Sequence, residues 1–283
     1  MSDRAKKSVI IKENIAISDG IYSMWLEAPE IAGDAKPGQF ISMYTRDASK
    51  LLPRPISICD YNKENGLVRV VYRVSGEGTR QFSGYKAGET IDVLGPLGNG
   101  YCVGALAASG KECSEDAGCA CNYSGDAATL MLVGGGIGIP PMLGLAKEYK
   151  KTYPDAVINV VLGYRNKDTF LDDEFKEVAN VYYASDDGSI GIKGNVIDAI
   201  NLYGVKADVI CACGPTPMLR GLKTYAEENN IALQISLEER MACGIGACLA
   251  CVCKSKEVDH HSHVHNKRIC KDGPVFNAGD IEL

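Results

Sequence analysis

The chain has 283 residues, about twice a common domain length, which predicts two domains with room for a small appendage. With 46% hydrophobic and 23% charged residues it has ordinary globular composition, which excludes wholesale disorder. The formal charge of −6 disfavours a phosphate backbone as principal ligand, so no nucleic-acid partner is expected. Twelve cysteines are the anomaly. Met1-Ser2-Asp3-Arg4-Ala5-Lys6-Lys7 leads into no apolar signal core, so no export is expected and the expected location is cytoplasmic. Clustered cysteines in such a chain point to metal or redox work rather than disulfides. Residues 127–146 carry no charge and are long enough to span a bilayer, but Gly134, Gly135, Gly136, Gly138, Pro140, Pro141 and Gly144 break a helix, so no membrane span is expected.

The first hundred residues read as short strands between turns. In 67–74, Val68, Val70, Tyr72 and Val74 share one face; in 21–27 the inward set is Tyr22, Met24 and Leu26. A period of two marks half-buried antiparallel strands. With 8–17, 39–45, 55–60 and 90–94, and one short helix near 78–84, residues 1–101 are expected to form a small antiparallel β-barrel. Residues 102–127, rich in Ala, Gly, Ser and Cys, read as a linker or insertion.

From 128 to 236 the pattern alternates. Strands are expected at 129–133, 156–162, 181–184, 208–213 and 231–236. Helices are expected near 170–178, 194–201 and 217–228, and Met142, Leu145, Ala146 and Tyr149 form a further helical stripe. Thr216 is the expected N-cap of the last helix, with Pro217 at its first position. Buried strands separated by helices imply a doubly wound parallel α/β sheet. Residues 237–283 lose all periodicity and hold five cysteines and all four histidines, so a metal is the expected staple.

Cys243, Cys248 and Cys251 stand as C-x4-C-x2-C, and Cys270 follows after eighteen intervening residues. This is plant-type 2Fe-2S spacing. Gly244, Gly246 and Ala247 let backbone N–H groups close around negatively charged sulfur without side-chain clashes. A zinc site on the same four thiolates is the alternative, although zinc more often takes two C-x2-C pairs. Cys253, one residue beyond Cys251, reads as a bystander.

Gly134-Gly135-Gly136-Ile137-Gly138 follows a strand and opens a helix, a setting in which N–H groups and the helix dipole favour a phosphate. It is not a strict G-x-G-x-x-G, because Ile139 stands at the third glycine. Cys213-Gly214-Pro215 ends a later strand of the same sheet, where ligands of such sheets bind. In the first domain Arg54-Pro55-Ile56-Ser57 and Gly76-Glu77-Gly78-Thr79 offer a cation, a hydroxyl and a backbone nest for a pyrophosphate.

The order of these segments resembles the ferredoxin–NADP reductase superfamily. More narrowly, it resembles the electron-transfer subunits of type 1B dihydroorotate dehydrogenases. That closer match rests on Gly95-Pro96-Leu97-Gly98-Asn99-Gly100, residues 134–141, residues 237–248, and residues 270–276. The resemblance implies FAD on Arg54, Pro55, Ile56 and Ser57, along Val71, Tyr72 and Arg73, and at Gly78 and Thr79. It implies NAD at Gly134, Gly135, Gly136 and Gly138, with the nicotinamide near Cys213, Gly214 and Pro215. It implies a cluster on Cys243, Cys248, Cys251 and Cys270.

It further implies a catalytic partner subunit that oxidises dihydroorotate on FMN in pyrimidine biosynthesis, in a heterotetramer of two of each subunit, with no catalytic residue for that chemistry in this chain. Met241, Ile245 and Leu249 would belong to the partner interface. A flavin between a hydride carrier and a one-electron cluster makes a redox relay chemically coherent. The alternatives are an NAD(P)H-dependent reductase subunit of a transhydrogenase, hydrogenase or oxygenase, and a non-catalytic zinc-stapled nucleotide-binding module. Arg165 leaves room for a 2′-phosphate; Cys113, Cys119 and Cys121 offer a second metal no evident fourth ligand; and the run His260, His261, His263 and His265 reads as a solvated loop leading to Cys270, with incidental metal binding the alternative.

Overall fold

The computed structural model describes residues 5–47, 49–107, 127–258 and 263–283. Cys113, Cys119, Cys121, His260 and His261 lie outside the described residues. The chain divides into two compact units, Met1–Gly100 with Glu238–Pro274, and Tyr101–Leu237 with Val275–Leu283.

In the first unit, β1 (Lys7–Ser18), β2 (Ile21–Glu27), β3 (Phe40–Tyr44), β4 (Arg54–Asn62), β5 (Leu67–Arg73) and β6 (Thr90–Leu97) close an antiparallel barrel in the order β1-β2-β5-β4-β3-β6. The period of two explains it. Met24 and Leu26 of β2, Ile41 and Met43 of β3, and Val68, Val70 and Tyr72 of β5 fill the barrel, while the intervening residues face outward. Helix α1 (Pro29–Asp34) is too short to show periodicity in the sequence; Pro29 opens it, and Ile31 and Ala32 are buried. Helix α2 (Glu77–Gly84) follows Gly76, and the Thr79 hydroxyl accepts from the Gly76 N–H at 3.2 Å.

The second unit opens with α3 (Val103–Ala107), inside the stretch expected to be linker. Its sheet holds β7 (Leu130–Gly135), β8 (Ile158–Tyr164), β9 (Asn180–Ser185), β10 (Ile192–Lys193), β11 (Val209–Cys213) and β12 (Ala232–Ser236), all parallel, in the order β10-β9-β8-β7-β11-β12. The connections are α4 (Ile139–Thr152), α5 (Asp172–Lys176), α6 (Val196–Tyr203) and α7 (Thr216–Glu228). The strand order reverses between β7 and β11, which makes their carboxyl ends the topological switch point. Asn195 caps α6 by accepting from the Ile197 and Asp198 N–H groups, and Gly204 ends it at φ 61°. The cap of α7 is Pro215 rather than Thr216, which stands inside the helix with no capping bond. Residues 127–146 are divided between β7 and α4, and among the described residues no helix is long and apolar enough to cross a membrane.

Residues 237–283 do not stay together. A hairpin of β13 (Val252–Lys254) and β14 (Asn266–Arg268), followed by α8 (Ile269–Asp272), belongs to the barrel unit. Residues Val275–Asn277 add an antiparallel edge strand to β12 in the second unit. The Gly95–Gly100 segment is the clamp that holds the cysteine-rich segment on the barrel. The Asn99 N–H donates to the Gly273 carbonyl at 2.6 Å, and Asn99 Nδ2 donates to the Asp272 carbonyl at 3.0 Å. Gly98 has φ 74°, and a Cβ there would meet Pro274 Cδ at 2.6 Å, so both conformation and space demand glycine.

Candidate functional site

The four cysteines converge as two pairs. Cys243 and Cys248 bring their sulfurs to 3.3 Å, and Cys251 hydrogen-bonds Cys270, whose own N–H donates to the Cys251 sulfur at 3.5 Å. Backbone donors surround them: the Cys248 N–H points at Cys243 Sγ at 3.4 Å and the Gly246 N–H at Cys270 Sγ at 3.1 Å. Gly244 and Gly246 reach these positions at φ 69° and 82°. Burial disfavours a thiolate at Cys243, but the N–H groups of Cys248, Ile245 and Ala247 and the Cys248 thiol outweigh it and bring that thiol down to about 6. Burial and the neighbouring Cys251 push Cys270 up to about 12. Protons held between close thiols are what a metal displaces.

The loop is braced by a part-buried ion pair. Arg268 Nε donates to Asp272 Oδ2 at 3.2 Å, and its Nη1 donates to the Gly246 carbonyl at 3.2 Å. The sequence reading missed this pair, since an Arg and an Asp four apart are unremarkable until their burial is known. The thiol of Cys253, expected to be a bystander, donates to the Lys267 carbonyl across the hairpin at 3.6 Å, and burial pushes it up to about 11. Among the two described histidines of the run, His265 Nδ1 lies 2.9 Å from the Lys256 carbonyl.

On the barrel, β4 pairs with β3 from Arg54 to Ser57, and its pairing with β5 begins only at Ile58 opposite Val70. Among the described pairings, residues 54–57 and 71–73 therefore have no ladder with each other. Each stretch thus has one strand edge outside the described ladders, where backbone groups could meet a ligand. Val71 and Arg73 lie on the outward alternation of β5. The Tyr72 ring turns the other way, into the core, stacked on Tyr22 with its hydroxyl donating to Asn14 Oδ1 at 3.0 Å, so only its main chain is presented. Arg54 reaches across to α2: a Cβ on Gly78 would collide with its guanidinium. The Thr79 hydroxyl accepts from the Ser75 and Gly76 N–H groups, so the α2 N-terminal amides and the Arg54 cation are the groups that could meet an anion here.

In the second unit the two loops expected to bind nucleotide meet at the switch point. Gly134 stands opposite Cys213 in the ladder, and a Cβ on Gly138 would collide with the Cys213 carbonyl. A Cβ on Gly135 would meet Met218 Sδ at 2.7 Å, and one on Gly134 would meet Ile139 Cα at 3.0 Å. These glycines serve close packing of loop on loop, beyond the phosphate approach for which the sequence nominated them. Gly136 takes a left-handed conformation, φ 55°, in the turn between β7 and α4. Gly214 and Pro215 lead from Cys213 into α7, and Arg165 is exposed just beyond β8. On the cluster loop Ile245 and Leu249 are half exposed, whereas Met241 is buried and so leaves the set expected to meet a partner.

Residues 238–282 match the iron-sulfur cluster binding domain of dihydroorotate dehydrogenase B, and residues 132–224 match the oxidoreductase NAD-binding domain. The dihydroorotate dehydrogenase B (NAD(+)) electron transfer subunit of Fusobacterium nucleatum is 39% identical over 96% of this chain and 97% of its own. The protein of the same name from Bacillus velezensis is 41% identical over 98% and 99%.

The chain belongs to this family of electron transfer subunits.

A solved NADH-dependent reduced ferredoxin-NADP oxidoreductase is similar over 100% of this chain and 91% of its own, with a TM-score of 0.79 and 30% identity. The flavohemoglobin of Malassezia yamatoensis, at 19% identity and a TM-score of 0.61, shares the fold alone.

The residues fit the groups that this family implies. Two thiol pairs ringed by N–H donors suit two irons, each with two protein sulfurs; one zinc would instead draw four sulfurs to a single point. The open edges of β4 and β5 and the Arg54–Gly78 contact suit a flavin and its pyrophosphate. The glycine turn before α4 suits the phosphates of NAD.

Proposed function

We propose that this chain carries electrons from a catalytic partner, which oxidises dihydroorotate to orotate on FMN in pyrimidine biosynthesis, to NAD+. The observation that carries the reading is the pairing of Cys243 with Cys248 and of Cys251 with Cys270 in the same compact unit as the Arg54–Gly78 cradle. When bound, NAD exchanges a hydride, a 2Fe-2S cluster single electrons, and FAD either, so the three convert one kind of transfer into the other.

The chain's own contribution is positioning and charge. Arg54 and the amides of Gly78 and Thr79 hold the FAD pyrophosphate. Pro55, Ile56 and Ser57 on one edge and Val71, Tyr72 and Arg73 on the other receive the flavin, Tyr72 through its main chain. Cys243 and Cys248 hold one iron, Cys251 and Cys270 the other, and the Cys248 and Gly246 amides offset the negative charge on sulfur. Gly134, Gly135, Gly136 and Gly138 shape the nucleotide loop, and Cys213, Gly214 and Pro215 face the nicotinamide end.

No residue of this chain is assigned to dihydroorotate. Ile245 and Leu249, apolar and exposed on the cluster loop, are the proposed contact with the partner, in an assembly of two subunits of each kind. The proposed location is the cytoplasm, a compartment in which cysteines such as those of the cluster loop stay available to a metal.

The test is absorption and EPR spectroscopy of air-free protein before and after NADH, then with the partner and dihydroorotate. The expected result is bleaching of a flavin band by NADH, a 2Fe-2S signal, and NADH formation in the complex. A colourless protein without iron or acid-labile sulfide would overturn the reading.

A further inference from the structure

In strand β3, Ser42 stands between two residues of the barrel core. Ile41 and Met43 point into the barrel, so Ser42 points to the outer face. That face is covered by the cysteine loop: Ser42 Oγ lies 2.8 Å from where a side chain on Gly244 would begin. Leu97, the other neighbour of that position, lies at 3.5 Å and is apolar, as a merely covered strand face would favour. Ser42 is fully buried, yet among the described residues its Oγ has no hydrogen-bond partner. A buried hydroxyl left unpaired is costly, so its presence calls for a partner that the described residues do not supply. Gly244 directly follows Cys243, and the backbone of Ser42 pairs with Pro55, on the strand that offers the flavin site.

We propose that the Ser42 hydroxyl donates a hydrogen bond to a sulfur of the cluster beside Cys243, and so raises the cluster's reduction potential. The inference rests on the reading that the four cysteines hold a 2Fe-2S cluster. A donor to sulfur favours the more negative of the cluster's two oxidation states. Gly244 is glycine for the same reason: a methyl group there would stand in the hydroxyl's path. Ser42 is thus a positioning and tuning residue on the barrel, remote in sequence from every cluster ligand.

The test uses full-length holoprotein in complex with its partner, as wild type, Ser42→Ala and Ser42→Thr. Iron and acid-labile sulfide are measured first, then the cluster midpoint by EPR-monitored potentiometry, then proton couplings in H2O and D2O. Ser42→Ala is expected to keep its cluster and to lower the reduced-to-oxidised ratio at a fixed potential by about tenfold, a shift of about 59 mV for one electron. It should also lose an exchangeable proton coupling, and Ser42→Thr should restore both. If Ser42→Ala loads less cluster, the loaded fraction still reports the potential. An unchanged midpoint and unchanged couplings in Ser42→Ala would overturn the inference while leaving the proposed function intact. A wild type without a 2Fe-2S signal would overturn both.

Discussion

The guanidinium of Arg54 fills the space that a side chain on Gly78 would need, with Nη2 2.7 Å from the place of that absent Cβ. A cation from a barrel strand is thereby set against the amides that open α2. Gly78→Ala must push Arg54 aside. FAD affinity is expected to fall about tenfold or more, in line with about 1–3 kcal/mol for forced repacking. Flavin retention on gel filtration and titration of the apoprotein with FAD measure it, and an unchanged FAD affinity would contradict the assignment.

Gly138→Ala attacks the other unit. Its methyl would meet the Cys213 carbonyl and part the two loops at the switch point. The KM for NADH is expected to rise about tenfold, while the flavin and cluster spectra stay as in wild type. Loss of the flavin instead would show that the loop contact serves general folding.

The cysteines sort by role. Cys253→Ala is expected to retain full iron and sulfide, because that thiol is committed to the Lys267 carbonyl. Cys270→Ser should lose the cluster signal or leave it unstable in air. Iron analysis of the two variants side by side decides the matter.

Thiol ionisation supplies a pH test on the apoprotein. Cys243, held down to about 6 despite burial by the surrounding amides, is a thiolate at neutral pH, while Cys270, pushed up to about 12 by burial and Cys251, is protonated. Alkylation at pH 7 should modify Cys243 well ahead of Cys270. The signs for stability are opposite. The Cys243 contribution is complete above its unfolded pKa near 9 and is lost as pH falls through 6; that of Cys270 is complete below 9 and lost as pH rises through 12. Peptide mass mapping after timed alkylation at several pH values reads the order directly.

Arg268 is 6% exposed and bonded to both Asp272 and the Gly246 carbonyl. Asp272 is partly exposed, so removing one partner should cost less than the ~3–5 kcal/mol of a fully buried pair. Asp272→Asn and Arg268→Ala are therefore expected to destabilise the cluster loop and speed iron loss on air exposure. Thermal melts of the barrel unit, followed by Trp25 fluorescence, separate a local from a global effect.

Much of the architecture was legible because it is periodic. Val68, Val70 and Tyr72 announced a barrel strand, and the helical stripe from Met142 to Tyr149 announced the helix after the glycine turn. The cysteine spacing was legible because thiolates that share a cluster must be near in sequence or returned by a short loop. What stayed hidden was short or non-local. The strand Val275–Asn277 has only three residues and gains its identity from β12. The hairpin of β13 and β14 is equally short, and its partners are separated by residues without pattern. The family resemblance implies Tyr72 beside the flavin, and only the packed barrel shows that alternation turns its ring into the core, stacked on Tyr22.

Residue order alone specified which side chains alternate, where glycine permits a turn, and which thiols can share irons, since these follow from bond geometry over a few neighbours. Folding in three dimensions decided that Arg54 meets Gly78, that Asn99 pins the Gly273 carbonyl, that Gly138 abuts Cys213, and that Ser42 lies under Gly244. Those meetings depend on strand register and on burial, which are collective properties of the packed chain and leave no mark in local spacing.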